Sequence, residues 1–173
     1  MLAQLSIRDI VLIDRLDLSF REGLSVLTGE TGAGKSILLD GFALALGGRG
    51  DGSLVRHGEA QGQVSAVFDL PLDHAARKLA EAQAIDTDGD LILRRVQYAD
   101  GRTRAFVNDQ PVSVQILRSI GSAIVEIHGQ HDDRALTDPA QHRALLDGFG
   151  ELQGQAQDVA EASERLKRAR QAL

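Results

Sequence analysis

Gly29, Gly32, Gly34, Lys35 and Ser36 stand in the spacing Gly-x4-Gly-Lys-Ser. Residues of these types in this order bind a chain of phosphates. The glycines admit backbone angles that a β-carbon forbids, so successive N–H groups can turn inward around an anion. A helix beginning near Lys35 points its positive end at the same anion. Lys35 adds a mobile charge for the β- and γ-phosphates, and the Ser36 hydroxyl is placed to ligate Mg²⁺. The expected cradle is Gly29, Glu30, Thr31, Gly32, Ala33, Gly34, Lys35 and Ser36, and the expected ligand is a nucleoside triphosphate.

A phosphate loop needs a strand leading in and a helix leading out. Leu24 to Leu27 is a short apolar run that predicts a buried strand, and Ile37, Leu38, Phe42, Leu44 and Ala45 have helical spacing. Upstream, Leu5, Ile7, Ile10, Leu12 and Ile13 begin an apolar segment. Leu16, Leu18 and Phe20 then alternate with polar residues, which predicts a strand. Three strands are therefore expected ahead of the loop. Downstream, Gly47, Gly48, Gly50 and Gly52 should end the helix. Val64 to Leu70 alternates as a strand, Asp73 is positioned to cap a short helix, and Asp86 to Asp90 makes an acidic turn. That turn lacks the terminal Glu of a calcium loop. Asp100-Gly101 between two β-rich runs predicts a hairpin. Asn108 to Pro111 reads as a turn, Ser113 to Gly121 as a helix and Ala123 to Ile127 as a second buried strand. Asp138-Pro139 looks like a helix start. In the tail, Leu145, Leu152, Val159, Leu166 and Leu173 recur every seven residues, with Ala162 and Ala169 between them, which is a coiled-coil pattern. The seam reaches Leu173 without a stop signal, so a longer coiled coil is expected. The expected division is a lobe over 1–150 and the beginning of an arm over 151–173.

Composition narrows the field. At 43% apolar residues the chain of 173 can bury a core, and with aromatics at 3% that core is aliphatic. A net charge of −6 argues against a basic surface over the whole chain. The absence of cysteine excludes disulfides, thiolate metal sites and cysteine nucleophiles. No signal peptide or membrane span is legible, so a cytoplasmic protein without membrane contact is expected.

Leu5-Ser6-Ile7-Arg8-Asp9-Ile10, the run through Phe20 and the phosphate loop resemble the N-terminal head segment of SMC-like ATPases. Leu44 to Arg49, Leu54 to Gly58 and Ile127-His128-Gly129-Gln130-His131-Asp132 resemble the RecN family of bacterial SMC-like DNA-repair proteins. The resemblance covers 1 to about 150. It implies an α/β fold: an ABC-type P-loop ATPase head split in sequence. Its N-terminal lobe, with a mixed sheet, is here, followed by the start of an antiparallel coiled coil. It implies ATP and Mg²⁺ as cofactors, double-strand DNA ends as partner, the C-terminal half of the same head, and a homodimer that closes on ATP. Gln130 matches the Q-loop glutamine, whose carbonyl can bind Mg²⁺ and whose amide can orient water, so Lys35 and Gln130 are the implied catalytic residues. Arg8 matches a basic residue near the nucleotide. Arg49 or Arg56 could reach the γ-phosphate as an arginine finger. His128 and His131 without cysteine make a poor zinc set.

Neither an apolar run ending in Asp-Glu nor a Leu-Ser-Gly-Gly signature occurs. In this family both lie in the C-terminal half, so the chain alone is expected to be nearly inactive in hydrolysis. The alternative reading is a nucleotide-switched DNA-tethering module, with Arg94, Arg95, Arg102 and Arg104 and the tail residues Arg165, Lys167, Arg168 and Arg170 on phosphate. Another SMC, Rad50 or RecF type of head is also open.

Overall fold

The computed structural model describes residues 1–29, 34–127 and 139–171. They form two compact units, Met1–Glu126 and Ile127–Leu173. The first is built on six strands: β1 (Leu2–Ile10), β2 (Ile13–Ser19), β3 (Gln61–Phe68), β4 (Leu91–Tyr98), β5 (Thr103–Val107) and β6 (Gln110–Val112). Their order is β2-β1-β3-β4-β5-β6, and every pairing is antiparallel. Three helices accompany them, α1 (Lys35–Ala45), α2 (Ala75–Glu81) and α3 (Val114–Ser122). A short 3-10 turn spans Gly52–Leu54.

Period-2 alternation divides the sheet into two faces. A β-carbon on Gly41 of α1 would stand 3.1 Å from Ile7 and 3.7 Å from Val64, so Ile7 and Val64 face α1. In register with them lie Leu16, Arg95 and Ala105. Phe42 of α1 meets Phe68 of β3 with ring centroids 6.3 Å apart. The core is aliphatic apart from Phe68: Leu5, Ile7, Ile10, Leu44, Val64, Leu91, Leu93, Val107, Leu117 and Ile120 are all buried.

α1 ends as its glycines require. Gly47, at φ +87°, and Gly48 return their N–H groups to the carbonyls of Leu44 and Ala43, which closes the helix with a Schellman motif. The β4–β5 hairpin turns at Asp100-Gly101, with Gly101 at φ +88°. Ser113 caps α3 by accepting from the N–H of Ile116.

Several expectations need correction. Leu24 to Leu27 is not a strand: Leu24 is 94% and Val26 71% exposed. Residues 123–127 form no strand either. Both apolar runs were expected as buried strands, and a strand buried on both faces is stable only with neighbours and cover. Among the described residues every strand pairing is antiparallel rather than mixed, and two strands rather than three precede the loop. The cap of α2 is His74, whose Nδ1 accepts from the N–H of Ala76 at 3.2 Å, not Asp73. The stretch expected as a turn holds β6, with Pro111 tolerated because β6 is an edge strand. Asn108 and Asp109 form the tight turn before it, both at positive φ.

The second unit holds α4 (Pro139–Phe149) and α5 (Gln153–Gln171). Pro139 opens α4, as expected of a proline at a first helical position. The chain turns at Gly150 to Leu152, with Glu151 at φ +53°. Leu145 therefore belongs to a different helix from Val159 and Leu166, and Leu173 lies outside the described residues. Leu152, Val159 and Leu166 remain as an exposed stripe that opens the coiled-coil pattern.

Candidate nucleotide-binding site

The site is organised by the start of α1. Gly34 precedes the helix and makes no side-chain cap, and no acidic residue stands in the first turn. The first backbone N–H groups of a helix have no partner within it, and here no side chain of the cap position takes one of them. The positive end of such a helix suits an anion. Lys35 is half-buried and its Nζ donates to the carbonyl of Gly29 at 2.5 Å. A β-carbon at Gly29 would stand 3.7 Å from that ammonium, an ordinary van der Waals contact. Lys35 therefore folds back toward Gly29. Ser36 is exposed at the same helix end. These observations fit a triphosphate and a divalent cation: the helix end and the Lys35 ammonium lie together, with the Ser36 hydroxyl beside them. Glu30, Thr31, Gly32 and Ala33 lie outside the described residues, as do Gln130 and the flanking His128 and His131.

Arg8 is placed elsewhere. It follows Ile7 on β1, so its side chain leaves the sheet on the face opposite α1. There its Nη2 donates to both carboxylate oxygens of Asp17 at 3.0 Å, and its Nη1 to the carbonyl of Ile7. The Arg8 guanidinium, then the Ser6 hydroxyl, hold the Asp17 carboxyl well below the usual carboxylate range, at about 2. No described contact joins Arg8 to Gly29, Gly34, Lys35 or Ser36.

The loop after α1 is fixed on several sides. Arg118 of α3 donates from Nε to the carbonyl of Gly47 at 3.0 Å. Gly50 is pressed against Gln97 and Gly52 against the carbonyl of Ala99. Of the two finger candidates, Arg56 is paired with Asp9 at 3.8 Å and Asp14 at 3.3 Å. Arg49 is exposed. Sequence reasoning missed this clamp, because its partners Gln97 and Arg118 lie far along the chain.

Of the four hairpin arginines, Arg95 is buried at 2% exposure on the α1 face and cannot touch a partner. Its Nε donates to the Thr103 hydroxyl at 2.5 Å, while its Nη1 is buried without a partner. Burial and then the nearby Arg118 charge push its pKa down. Arg94, Arg102 and Arg104 stay at the surface, over the rings of Phe106 and Tyr98.

The chain is 45% identical to the DNA repair protein RecN of Halalkalibacterium halodurans over 150 residues, covering 86% of this chain and 26% of that protein. It is 43% identical to the DNA repair protein RecN of Bacillus subtilis with the same coverage. The chain thus spans about a quarter of the length of these relatives. A crystal structure of the Smc head domain with an extended coiled coil, derived from Pyrococcus furiosus, shares the fold at a TM-score of 0.71. The identity is 21%, covering 98% of this chain and 46% of that one. A chain from work on ATP-driven dimerization of SMC ATPases has a TM-score of 0.59 at 20% identity, covering 86% of this chain and 98% of that one. The fold is thus that of an SMC-like head lobe. Residues 4–173 match the AAA domain family along almost their whole extent, and the chain belongs to that family.

Proposed function

We propose that this chain is the ATP-binding N-terminal lobe of an SMC-like ATPase head that acts in DNA double-strand break repair. One observation carries the reading: α1 starts after Gly34 with no side-chain cap from that residue and no acidic residue in its first turn, and Lys35 Nζ reaches the carbonyl of Gly29. Similarity to RecN in two bacteria supports the repair role. Gly29 and residues 30–34 would wrap the phosphates, Lys35 would meet the β- and γ-phosphates, and Ser36 with Gln130 would hold Mg²⁺. Mg²⁺ supplies charge neutralisation on the phosphate oxygens. The C-terminal half of the same head, a second copy of the protein and DNA ends complete the proposed assembly. No helix of the described residues is long and apolar enough to cross a membrane, which accords with the proposed site of action beside the nucleoid.

Titration of the chain with MgATP by calorimetry tests the reading. Binding is expected, and Lys35→Ala should remove it or weaken it by tenfold or more, with the melting temperature unchanged. Equal affinity in the variant would overturn the assignment of the site.

A further inference from the structure

Among the described residues the sheet ends in β2 on one side and β6 on the other, and the two edges are built differently. β6 offers only Gln110–Val112, and Pro111 at its middle has no N–H to give. β2 offers Ile13–Ser19, seven residues without proline or glycine. An edge of that length carries a row of N–H and C=O groups that can pair with another strand. Asp14, Arg15, Asp17 and Ser19 along it are exposed, and Leu16 and Leu18 are half-buried.

One hydrogen bond sets which backbone groups of β2 point outward. The N–H of Phe20 donates to the carbonyl of Ala3 at 2.9 Å, and the register onto β1 is regular from Ser19 to Arg15. By alternation Leu18 and Leu16 turn their backbone groups to β1, while Ser19, Asp17 and Arg15 turn theirs away from it. These outward residues are the ones able to bond a further strand. Two β2 strands laid antiparallel about a two-fold axis at Leu16 bring Arg15 opposite Asp17 of the second copy, and Asp17 opposite Arg15 of the second copy. Both pairs join outward residues, so each exchanges its two N–H···O bonds, and each sets opposite charges face to face. Leu16 meets Leu16 of the second copy between them. Sliding one strand by two residues either way sets Arg15 against Arg15 or Asp17 against Asp17, and like charges directly opposite are destabilising. The charges of β2 therefore select one register with itself. Within one chain Arg8 holds the Asp17 carboxylate at 3.0 Å and keeps it ionised, whereas the Arg15 side chain is 72% exposed and reaches Asp17 along its own strand at 3.3 Å. Arg15 is thus the member that can transfer to Asp17 of the second copy.

We propose that β2 is a self-pairing edge: it adds antiparallel to β2 of a second copy of this chain, centred on Leu16, so that two sheets become one. The contact is isologous, with the same patch on both copies, and it closes on itself as a pair. It takes no residue of the phosphate loop, so it needs no nucleotide and is separate from the ATP-closed pair proposed above.

The test follows sedimentation of the chain without nucleotide up to about 1 mM, for the wild type, Arg15→Asp and Asp17→Arg. The wild type should pair, and each variant alone should pair more weakly by about tenfold or more, because both cross-strand pairs become like charges. Mixing the two variants should restore a one-to-one pair, since every carboxylate then faces a guanidinium. Hydrogen exchange on the wild type needs no variant and holds if one fails to fold. The amides of Arg15 and Asp17 should slow as the protein is concentrated, while those of Leu16 and Leu18, already bonded to β1, stay slow throughout. A wild-type chain that remains a monomer, folded variants that pair as tightly as wild type, or a mixture of them that does not pair would overturn the proposal. So would association that protects amides 24–27 and leaves Arg15 and Asp17 exchanging freely. MgATP binding by a chain that does not pair leaves the nucleotide reading standing, and pairing without MgATP binding does the reverse.

Discussion

Arg8 and Arg95 show what a residue type in a sequence leaves open. Both are arginines on strands, and both were expected to meet phosphate. Alternation sends Arg95 inward beneath α1 and Arg8 outward onto Asp17. The parity was legible: Arg95 lies opposite Val64, which belongs to the α1 face. Arginine in a period-2 run was read as exposed by its type. Lys35 and Ser36 stand at the start of α1, where a helix was expected to begin, because that start is set by one local signal. Asp17 gives a test at this scale. Its folded pKa is depressed, so the pair contributes stability above the ordinary carboxylate range and loses it as pH falls from about 4 to about 2. An NMR titration should show the Asp17 midpoint at about 2, rising toward the ordinary range in Arg8→Met. A midpoint that stays low would assign the shift to Ser6 and Arg15 instead. The group is exposed, so the effect on overall stability should be small.

Among the elements, the local ones were legible and the ones needing distant partners were not. The β4–β5 hairpin has its turn residues, α3 its serine cap and α1 its terminal glycines. Leu24 to Leu27 and 123–127 carry the composition of buried strands but lack the strands that would flank them, so a correct local signal produces no strand here. The contact between α1 and α3 was illegible because it depends on closeness rather than on pattern. A β-carbon at Gly121 would stand 2.6 Å from the carbonyl of Leu46, with its α- and β-carbons at 3.0 Å. Gly121→Ala should therefore push α3 from the end of α1, at a cost of about 1–3 kcal/mol. Thermal melting checks this, and a variant as stable as wild type would show that the helices can separate freely.

For the molecule as a whole, the apolar stretch from Leu24 to Leu27 is exposed, and on the proposed function it is where the C-terminal half of the head would pack. With MgATP, the chain alone should hydrolyse at or near the uncatalysed rate. Adding the C-terminal half of the same polypeptide should bring turnover that Lys35→Ala removes. Hydrogen exchange should show amides 24–28 becoming protected at the same time. A steady rate in the chain alone, lost in Lys35→Ala, would show that it holds a complete catalytic set. The sheet adds a constraint of its own. β2 and β3 both pair with β1, and the stretch 20–60 between them carries the phosphate loop and α1. In polymer terms that stretch is a ring closed by β1, with a closure entropy of about 3 kcal/mol that the strand pairing must offset. If the ring opens, the phosphate loop becomes part of a free coil whose ends are uncorrelated. Substitutions that loosen β1 against β3, far from any phosphate, would then weaken nucleotide affinity, and bound nucleotide would in return hold the ring shut.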